Sequence, residues 1–494
     1  MLVKNKKNLL KKMLVLTMAI FLLSVIFETS SATNVQEVWH KQEDRGHRDR
    51  AYGVVTDSHN NVIITGESSV QFFTIKYDEN ATFLWEHKGF TGCGRGVTVD
   101  HDDNIIVTGG SGDYFTIKYD ENGTELWNTT YDSSGLDYAY GVTVDSENNI
   151  IIVGQSQDNY LTIKYNSNGA LIWNVTFDSG GFDAAYGIAV DFNDNILVTG
   201  ESLGNYFTIK YDSDGNQLWA TSYDGGDLDR AWAVDSDSTN NVIVTGETYI
   251  TTYDRMFYTI KYDSSGTELW NVTPDTGGWD CSASSVVVDA YDNIIVFGTI
   301  YIDCGLNANY YTIKYDTNAN QLWVVSYDSQ NTDIGRGNTV DSLSNVIVTG
   351  QVKRGSSNWD YYTIKYNEPP IANFTYEPLV PTTNDTIQFN DTSFDPAGEI
   401  TDWSWTLGDG NTSALQNPTH QYADDGTYTV TLTVWDDDGA TDTTSKQITV
   451  LNVPPTADFT YTPINPDTSD LIQFTDNSTD SDGAVVSWSW IFGD

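Results

Sequence analysis

One phrase occurs seven times between residues 33 and 367, and what the last copy lacks stands at the opposite end of the segment. Each copy runs Gly-Val-x-Val-Asp, Asn-x-Ile-x-Thr-Gly, Tyr-Thr-Ile-Lys-Tyr-Asp and Leu-Trp, with anchors at Lys76, Lys118, Lys164, Lys210, Lys261, Lys314 and Lys365. Nine residues after each of the first six lysines comes a tryptophan: Trp85, Trp127, Trp173, Trp219, Trp270 and Trp323. Lys365 has none. Trp39 instead precedes the first copy, 14 residues before Gly53, the interval that also separates Trp127 from Gly141 and Trp173 from Gly187. A linear stack of repeats leaves two ends to cap, whereas a ring lets the first strand complete the last sheet and removes both exposed edges. The spacing predicts a closed ring of seven sheets.

Within a copy, four runs alternate apolar and polar residues, as in Gly141 to Asp145, Ile150 to Gly154, Tyr160 to Tyr165 and Ala170 to Thr176. Period-2 alternation broken by Asp-Gly, Asn-Gly and Ser-Gly makes the chain all-β, and each copy a four-stranded antiparallel meander, A to D. Asp and Asn bracket the A to B turn at a spacing of four in six copies (Asp57/Asn61 is the first), while Asp235/Asn241 reads as two residues longer. Both residue types bond nearby backbone in turns. The C to D stretches, such as Asp120-Glu121-Asn122-Gly123 and Asp212-Ser213-Asp214-Gly215, faintly echo calcium loops. They offer too few oxygens for one and read as hairpins assisted by glycine, so the sequence calls for no cofactor; calcium is the one ion left open. Each lysine reads as a group between blades, its stem on the neighbour and its amine near an aspartate.

Asp137-Tyr138-Ala139-Tyr140-Gly141-Val142-Thr143-Val144-Asp145, continuing to Asn149-Ile150-Ile151-Ile152-Val153-Gly154, resembles the SBBP-type β-propeller repeat in every copy. The resemblance implies a seven-bladed propeller with strand A at the axis and strand D outside, the outer strand of blade 7 being supplied by Val38-Trp39-His40. The interval across the B to C connection is 9 or 10 residues in blades 1 to 4 (Gly109 to Lys118, Gly66 to Lys76) but 15 or 16 in blades 5 to 7 (Gly246 to Lys261, Gly298 to Lys314). The B to C and D to A loops share one face, so the irregularity collects there. A recognition site is needed once, which favours singular residues on that face over sevenfold ones.

The ligand-binding candidates are therefore the residues expected just before strand A, namely Tyr52, Arg95, Tyr140, Tyr186, Trp232 and Arg336, together with Tyr253 and Trp359 from the long B to C loops. Those loops also carry Arg255, Met256, Phe257, Tyr301 and Lys353, while Arg50 and Arg230 fall on the same side as Tyr52 and Trp232 by parity. Aromatic planes beside guanidinium groups suit a sugar or a carboxylate; the competing reading is packing between blades, with each arginine paired to an acid.

Residues 1–32 carry five lysines ahead of an apolar run from Met13 to Phe27 and a small-residue stretch at Ser30-Ser31-Ala32, the pattern of a cleaved secretory signal peptide. Its removal leaves 19 basic against 68 acidic side chains, a charge of about −49 that repels nucleic acid and anionic lipid. Nucleic acid is thus excluded as a partner, and no membrane span remains after the signal. Three cysteines make no disulfide scaffold, although Cys281 and Cys304 share a blade and are a candidate pair in an oxidising compartment. Ten Asn-x-Ser/Thr sequons suit an exported glycoprotein.

Asn367-Glu368-Pro369-Pro370 ends the ring, because two prolines stop a central strand. Beyond it, Trp403-Ser404-Trp405-Thr406-Leu407-Gly408-Asp409-Gly410, Pro418-Thr419-His420-Gln421-Tyr422 and Gly426-Thr427-Tyr428-Thr429-Val430 resemble a PKD domain, which implies an immunoglobulin-like β-sandwich. Trp488-Ser489-Trp490-Ile491-Phe492-Gly493-Asp494 repeats the motif 85 residues on and reads as an incomplete copy, with surface-layer or membrane attachment expected of a segment C-terminal to Asp494. The organisation expected is a signal peptide over 1–32, a propeller over 33–367, one PKD domain over 368–452 and part of a second over 453–494. No His-Glu-x-x-His, no Gly-x-Ser-x-Gly and no paired metal histidines occur. The sequence reads as a non-enzymatic secreted or cell-surface protein whose propeller binds an extracellular glycan or protein, with the PKD modules as spacers. Its alternative is the accessory region of a larger extracellular hydrolase, or a propeller-borne enzyme.

Overall fold

The computed structural model describes residues 35–493 except residues 47, 252–253, 275, 277–279, 303–306, 356–357 and 397, so the signal-peptide segment lies outside the described residues. The chain divides into two compact units, Met1–Asn367 and Glu368–Asp494.

Seven four-stranded antiparallel sheets build the first unit. Six are meanders in chain order; in blade 3 the strands are Asp137–Val144, Ile150–Ser156, Asn159–Tyr165 and Leu171–Phe177. The seventh takes its outer strand from the N-terminal side, with Gln36–Glu43 paired to Asn358–Asn367 and Trp39 opposite Lys365. The ring closes as the tryptophan spacing predicts. Strands B and C are buried on both faces because blades stack face to face: Ile106 and Tyr114 of blade 2 pack with Ala139, Ile150, Ile152 and Ile163 of blade 3. Apolar burial of this kind contributes roughly 25 cal/mol per Å² and needs no specific partner.

Polar groups then set the joints. The buried Tyr160 hydroxyl donates to Phe207 O of the next blade at 3.0 Å, and Tyr361 makes the same bond to Phe73 O across the closure. Each repeated lysine is likewise fixed. Lys118 Nζ lies 2.6 Å from Asp100 of its own A to B turn and donates to Ser167 O of the next blade at 3.2 Å, and the ion pair recurs from Lys76–Asp57 to Lys365–Asp341 in all seven blades. These side chains are at most 6% exposed. Burial works to raise the Asp100 carboxyl, but hydrogen bonds from Lys118 and Asn104 outweigh it and hold the group below its usual range.

In blade 5 the turn is not longer. Asp237, rather than Asp235, takes the side-chain bond from Asn241 at 2.8 Å and the ion pair with Lys261, also at 2.8 Å.

The tryptophans of strand D form the outer half of each joint and are less buried than their size suggests. Trp127 lies half-exposed over the hairpin of the next blade, and its indole N–H donates to Ser167 O at 3.1 Å. Gly169 in that hairpin has φ +81°, and a Cβ there would sit 3.0 Å from the indole, so both conformation and space demand glycine. The aspartates of these stretches serve the turn, Asp120 Oδ1 accepting from the backbone of Asn122 and Thr124. Trp323 departs from the pattern: it is 2% exposed, and its Nε1 finds no partner, because blade 7 has no C to D hairpin to receive it.

In the second unit, a three-stranded sheet (Phe374–Glu377, Ile387–Asp391, Thr419–His420) faces a four-stranded one (Thr412–Ser413, Ile400–Thr406, Gly426–Asp436, Thr441–Val450) across a core centred on Trp405, Phe374, Phe389 and Leu432. This is an immunoglobulin-like sandwich. Of the second copy, the described strands are Phe459–Thr462 and Gln473–Asp476. Trp490, the counterpart of the fully buried Trp405, is 38% exposed there. No described helix is long and apolar enough to cross a membrane.

Candidate functional site

The innermost strands run closely side by side around the axis. A Cβ on Gly187 would fall 2.8 Å from Ala233 Cα of the next blade, so the glycine of Gly-Val-x-Val-Asp is set by this approach. Together they line a channel of about 240 Å³. In every blade strand A carries an irregularity between the residues flanking the candidate: Ala51/Gly53, Gly94/Gly96, Ala139/Gly141, Ala185/Gly187, Ala231/Ala233, Ala283/Ser285 and Gly335/Gly337. The residue between lies inside strand A rather than just before it, as the extra residue of a β-bulge, a device that re-aims a side chain out of the pleat.

Six of the eight candidates meet through these bulges. Arg336 lies over the Tyr52 ring at 5.7 Å, and Arg95 lies over Tyr52 at 5.5 Å and Tyr140 at 4.9 Å. Tyr140 meets Tyr186 edge-on at 5.1 Å, and Tyr186 meets Trp232 at 4.5 Å. The result is an arc of guanidinium and aromatic planes through blades 7, 1, 2, 3, 4 and 5. Blade 6 leaves the gap: Ser284 Oγ donates to Gly335 O at 3.0 Å.

Among the described residues two polar atoms in the arc are buried without a partner, Arg336 Nε and Trp232 Nε1. Neither Arg95 nor Arg336 forms an ion pair among the described residues. Burial presses the Arg336 guanidinium below its usual value, with Arg50 and Arg95 acting in the same direction, and burial pushes the Tyr140 and Tyr186 hydroxyls up. The arc thus presents cations and hydroxyl and indole donors, with no carboxylate of its own.

The arginines two residues before the bulges behave otherwise. Arg230 bonds Glu201 at 2.7 Å and Glu247 at 3.4 Å, and Arg50 lies 3.7 Å from Glu67, whose other arginine is Arg48 at 3.0 Å. These buried glutamates of strand B went unread in the sequence. Trp359 stands apart from the arc, with Arg50 over its ring at 5.6 Å and Lys353 at 5.9 Å. Tyr253 lies outside the described residues. The added length of blades 5 to 7 goes largely into longer B and C strands, such as Val346–Arg354 and Asn358–Asn367, so Phe257 is a core residue at 0% exposure and Met256 packs on the same core. Arg255, by contrast, is held by Glu247 at 3.2 Å and Asp280 at 2.9 Å and stacks on Tyr301.

Further along strand A of blade 5, Asp235 occupies the place held elsewhere by Val55, Thr98, Thr143, Ala189, Val287 and Thr339. It accepts from the Val288 N–H at 2.8 Å, and burial raises its carboxyl to about 6. Buried Cys281 accepts a bond from the Phe257 N–H at 3.3 Å; its candidate partner Cys304 lies outside the described residues.

Comparison with known proteins agrees with both folds. Residues 183–207 match the Beta-propeller repeat family model, and residues 367–450 match the PKD domain model. The chain carries a PKD domain behind a β-propeller. A pre-pro-metalloprotease, PrtV of Vibrio cholerae, is 37% identical over 106 residues, which are 21% of this chain and 11% of that protein. Collagenase ColA of Bacillus cereus is 41% identical over 76 residues, 15% of this chain and 8% of the other. Among solved structures, the PKD1 domain of the Vibrio cholerae metalloprotease PrtV is 38% identical, with a TM-score of 0.16, covering 17% of this chain and 96% of that one. The chain spans about a tenth of the length of the curated relatives it matches.

Proposed function

We propose that this is a non-enzymatic, exported recognition protein in which the propeller presents one binding mouth and the PKD modules act as spacers. The observation that carries the reading is the arc from Arg336 to Trp232, where two arginines without carboxylate partners among the described residues stand beside aromatic rings that meet edge-on or tilted, in a protein of net charge −45. A flat, hydroxyl-rich ligand bearing a carboxylate or another anion satisfies that surface: the rings stack on its faces while guanidinium groups take the charge. An acidic glycan fits best, and an acidic loop of a protein offers the same chemistry.

The second reading, an accessory region of a larger extracellular hydrolase, is favoured by one observation, the likeness of residues 367–450 to PKD regions of a metalloprotease and collagenases. Both readings give the propeller a binding task. The test is a glycan array probed with the purified chain, repeated with Trp232→Ala and with Arg336→Gln. Binding of uronate- or sialate-bearing glycans that both substitutions abolish supports the proposal; absence of any glycan or protein ligand, or binding indifferent to both, contradicts it.

A further inference from the structure

Five blades begin strand A with a buried aspartate, and four of them fill its oxygens the same way. Asp137, Asp183 and Asp333 each take a backbone N–H and a hydroxyl from one serine four residues earlier, Ser133, Ser179 and Ser329, at 2.6 to 2.9 Å. Asp229 takes the N–H of Gly225 and the hydroxyl of Thr248, both at 2.5 Å. Blade 1 breaks the rule. Asp49 Oδ2 accepts from the Arg45 N–H at 2.6 Å, but Arg45 has no hydroxyl, and among the described residues Asp49 Oδ1, on a residue 1% exposed, is buried without a partner.

What stands beside it is more negative charge. Oxygens from Asp44, Asp49 and Asp360 lie within 4.8 Å of one another, and Asp360 is fully buried. Oxygens that close can share one calcium ion, whose oxygen distances are about 2.3–2.6 Å. The other contacts leave lone pairs free: Asp44 Oδ1 accepts from the Gly46 N–H at 3.0 Å, Asp360 Oδ2 from Gln42 Nε2 at 2.5 Å and Asp360 Oδ1 from Asn358 Nδ2 at 3.1 Å. Asn358 adds a second buried oxygen without a partner, its own Oδ1. Arg354, the cation acting on Asp360, turns to Gln42 Oε1 at 3.1 Å, and Arg45, Arg48 and Lys88 around Asp49 are spent on Glu43 and Glu86, on Glu67 and on Ser68.

We propose that Asp44, Asp49 and Asp360 bind a divalent cation, calcium by its oxygen ligands, which pins the closing strand to blades 7 and 1. Asp44 directly follows the closing strand Gln36–Glu43, Asp360 lies on the strand it pairs with, and Asp49 opens blade 1. The register sets Glu43 against Tyr361, which brings Asp44 alongside Asp360. The ion supplies at the seam what a serine hydroxyl supplies in blades 3, 4 and 7, and it does so at the one place where a blade is assembled from both ends of the propeller.

The test is thermal unfolding of the full chain after chelation, with and without about 1 mM calcium, alongside a calorimetric calcium titration. Calcium raises the midpoint by several degrees, as binding to the folded state alone requires. Asp44→Asn, an exposed change that leaves folding intact, weakens calcium affinity about tenfold or more, and Asp360→Asn removes the midpoint shift. Asp183→Asn, the same substitution at an aspartate whose oxygens are already filled, keeps it. A midpoint indifferent to calcium overturns the proposal, as does a shift that survives both Asp44→Asn and Asp360→Asn.

Discussion

At the end of each innermost strand the same groups meet seven times: an aspartate, the asparagine four residues on and a lysine, with no blade departing from the plan. Five residues earlier, at the bulge, the seven equivalent positions hold tyrosine, arginine, tryptophan or serine, and the contacts change from blade to blade. The two regions share one backbone and one burial history but not one task. Where the chain repeats itself it is solving the problem of packing blade on blade; where it varies, on the function proposed above, it shapes a surface that is needed once.

Breaking the repeated end costs most. Lys314→Met leaves Asp289, at 0% side-chain exposure, without its cation, and unpaired buried charge costs about 3–5 kcal/mol, to be read by denaturant unfolding. A loss under about 1 kcal/mol removes the node from the scaffold.

The outer half of the same joint is tested by a pair of glycines. Gly169→Ala combines a left-handed φ of +81° with a methyl group pushed against Trp127, and loses about 2–3 kcal/mol; Gly180→Ala, at φ +85° with nothing near its Cβ, loses about 1 kcal/mol. Equal losses would mean that the tryptophan contact contributes nothing beyond backbone strain.

Asp235, between blades 5 and 6, gives the smallest effect and the opposite sign. Asp235 titrates near 6 in the folded protein against an ordinary 3.8, so folding favours its protonated form, and its charged form is a liability that is fully present above about pH 6 and fades as the pH falls toward 4. Asp235→Asn is therefore expected to stabilise by about 1–2 kcal/mol at pH 8 and by almost nothing at pH 4. A pH-independent effect contradicts the assignment.

The sequence made the ring legible because repetition fixes register: Trp39 could be placed beside Lys365 by counting alone, and the seven lysines could be read as joints. One turn was misread although the spacing resolves it: counting four residues back from Asn241 gives Asp237, not Asp235, and the hydrogen bonds of Asn241 agree. The bulge was hidden, since period-2 parity runs straight through Tyr52 and its equivalents; the one trace is a pair of small residues around each candidate, as in Ala51-Tyr52-Gly53 and Gly335-Arg336-Gly337. Extra residues in blades 5 to 7 looked like loops, yet Phe257 went to the core, because an apolar extension of two paired strands buries itself. The Asp49 seam was not legible, because Asp44 and Asp49 lie close in sequence but Asp360, hundreds of residues on, joins them only by closure of the ring.

The most direct test sets binding against stability in one variant. Trp232→Ala combined with Arg336→Gln, measured for glycan binding and for thermal midpoint beside Lys314→Met, separates the two regions. The account predicts that the mouth variant loses its ligand while its midpoint stays within a few degrees of the parent, and that Lys314→Met lowers the midpoint while ligand binding survives wherever the protein is still folded. A mouth variant that binds as the parent does, or one whose only defect is unfolding, would contradict it.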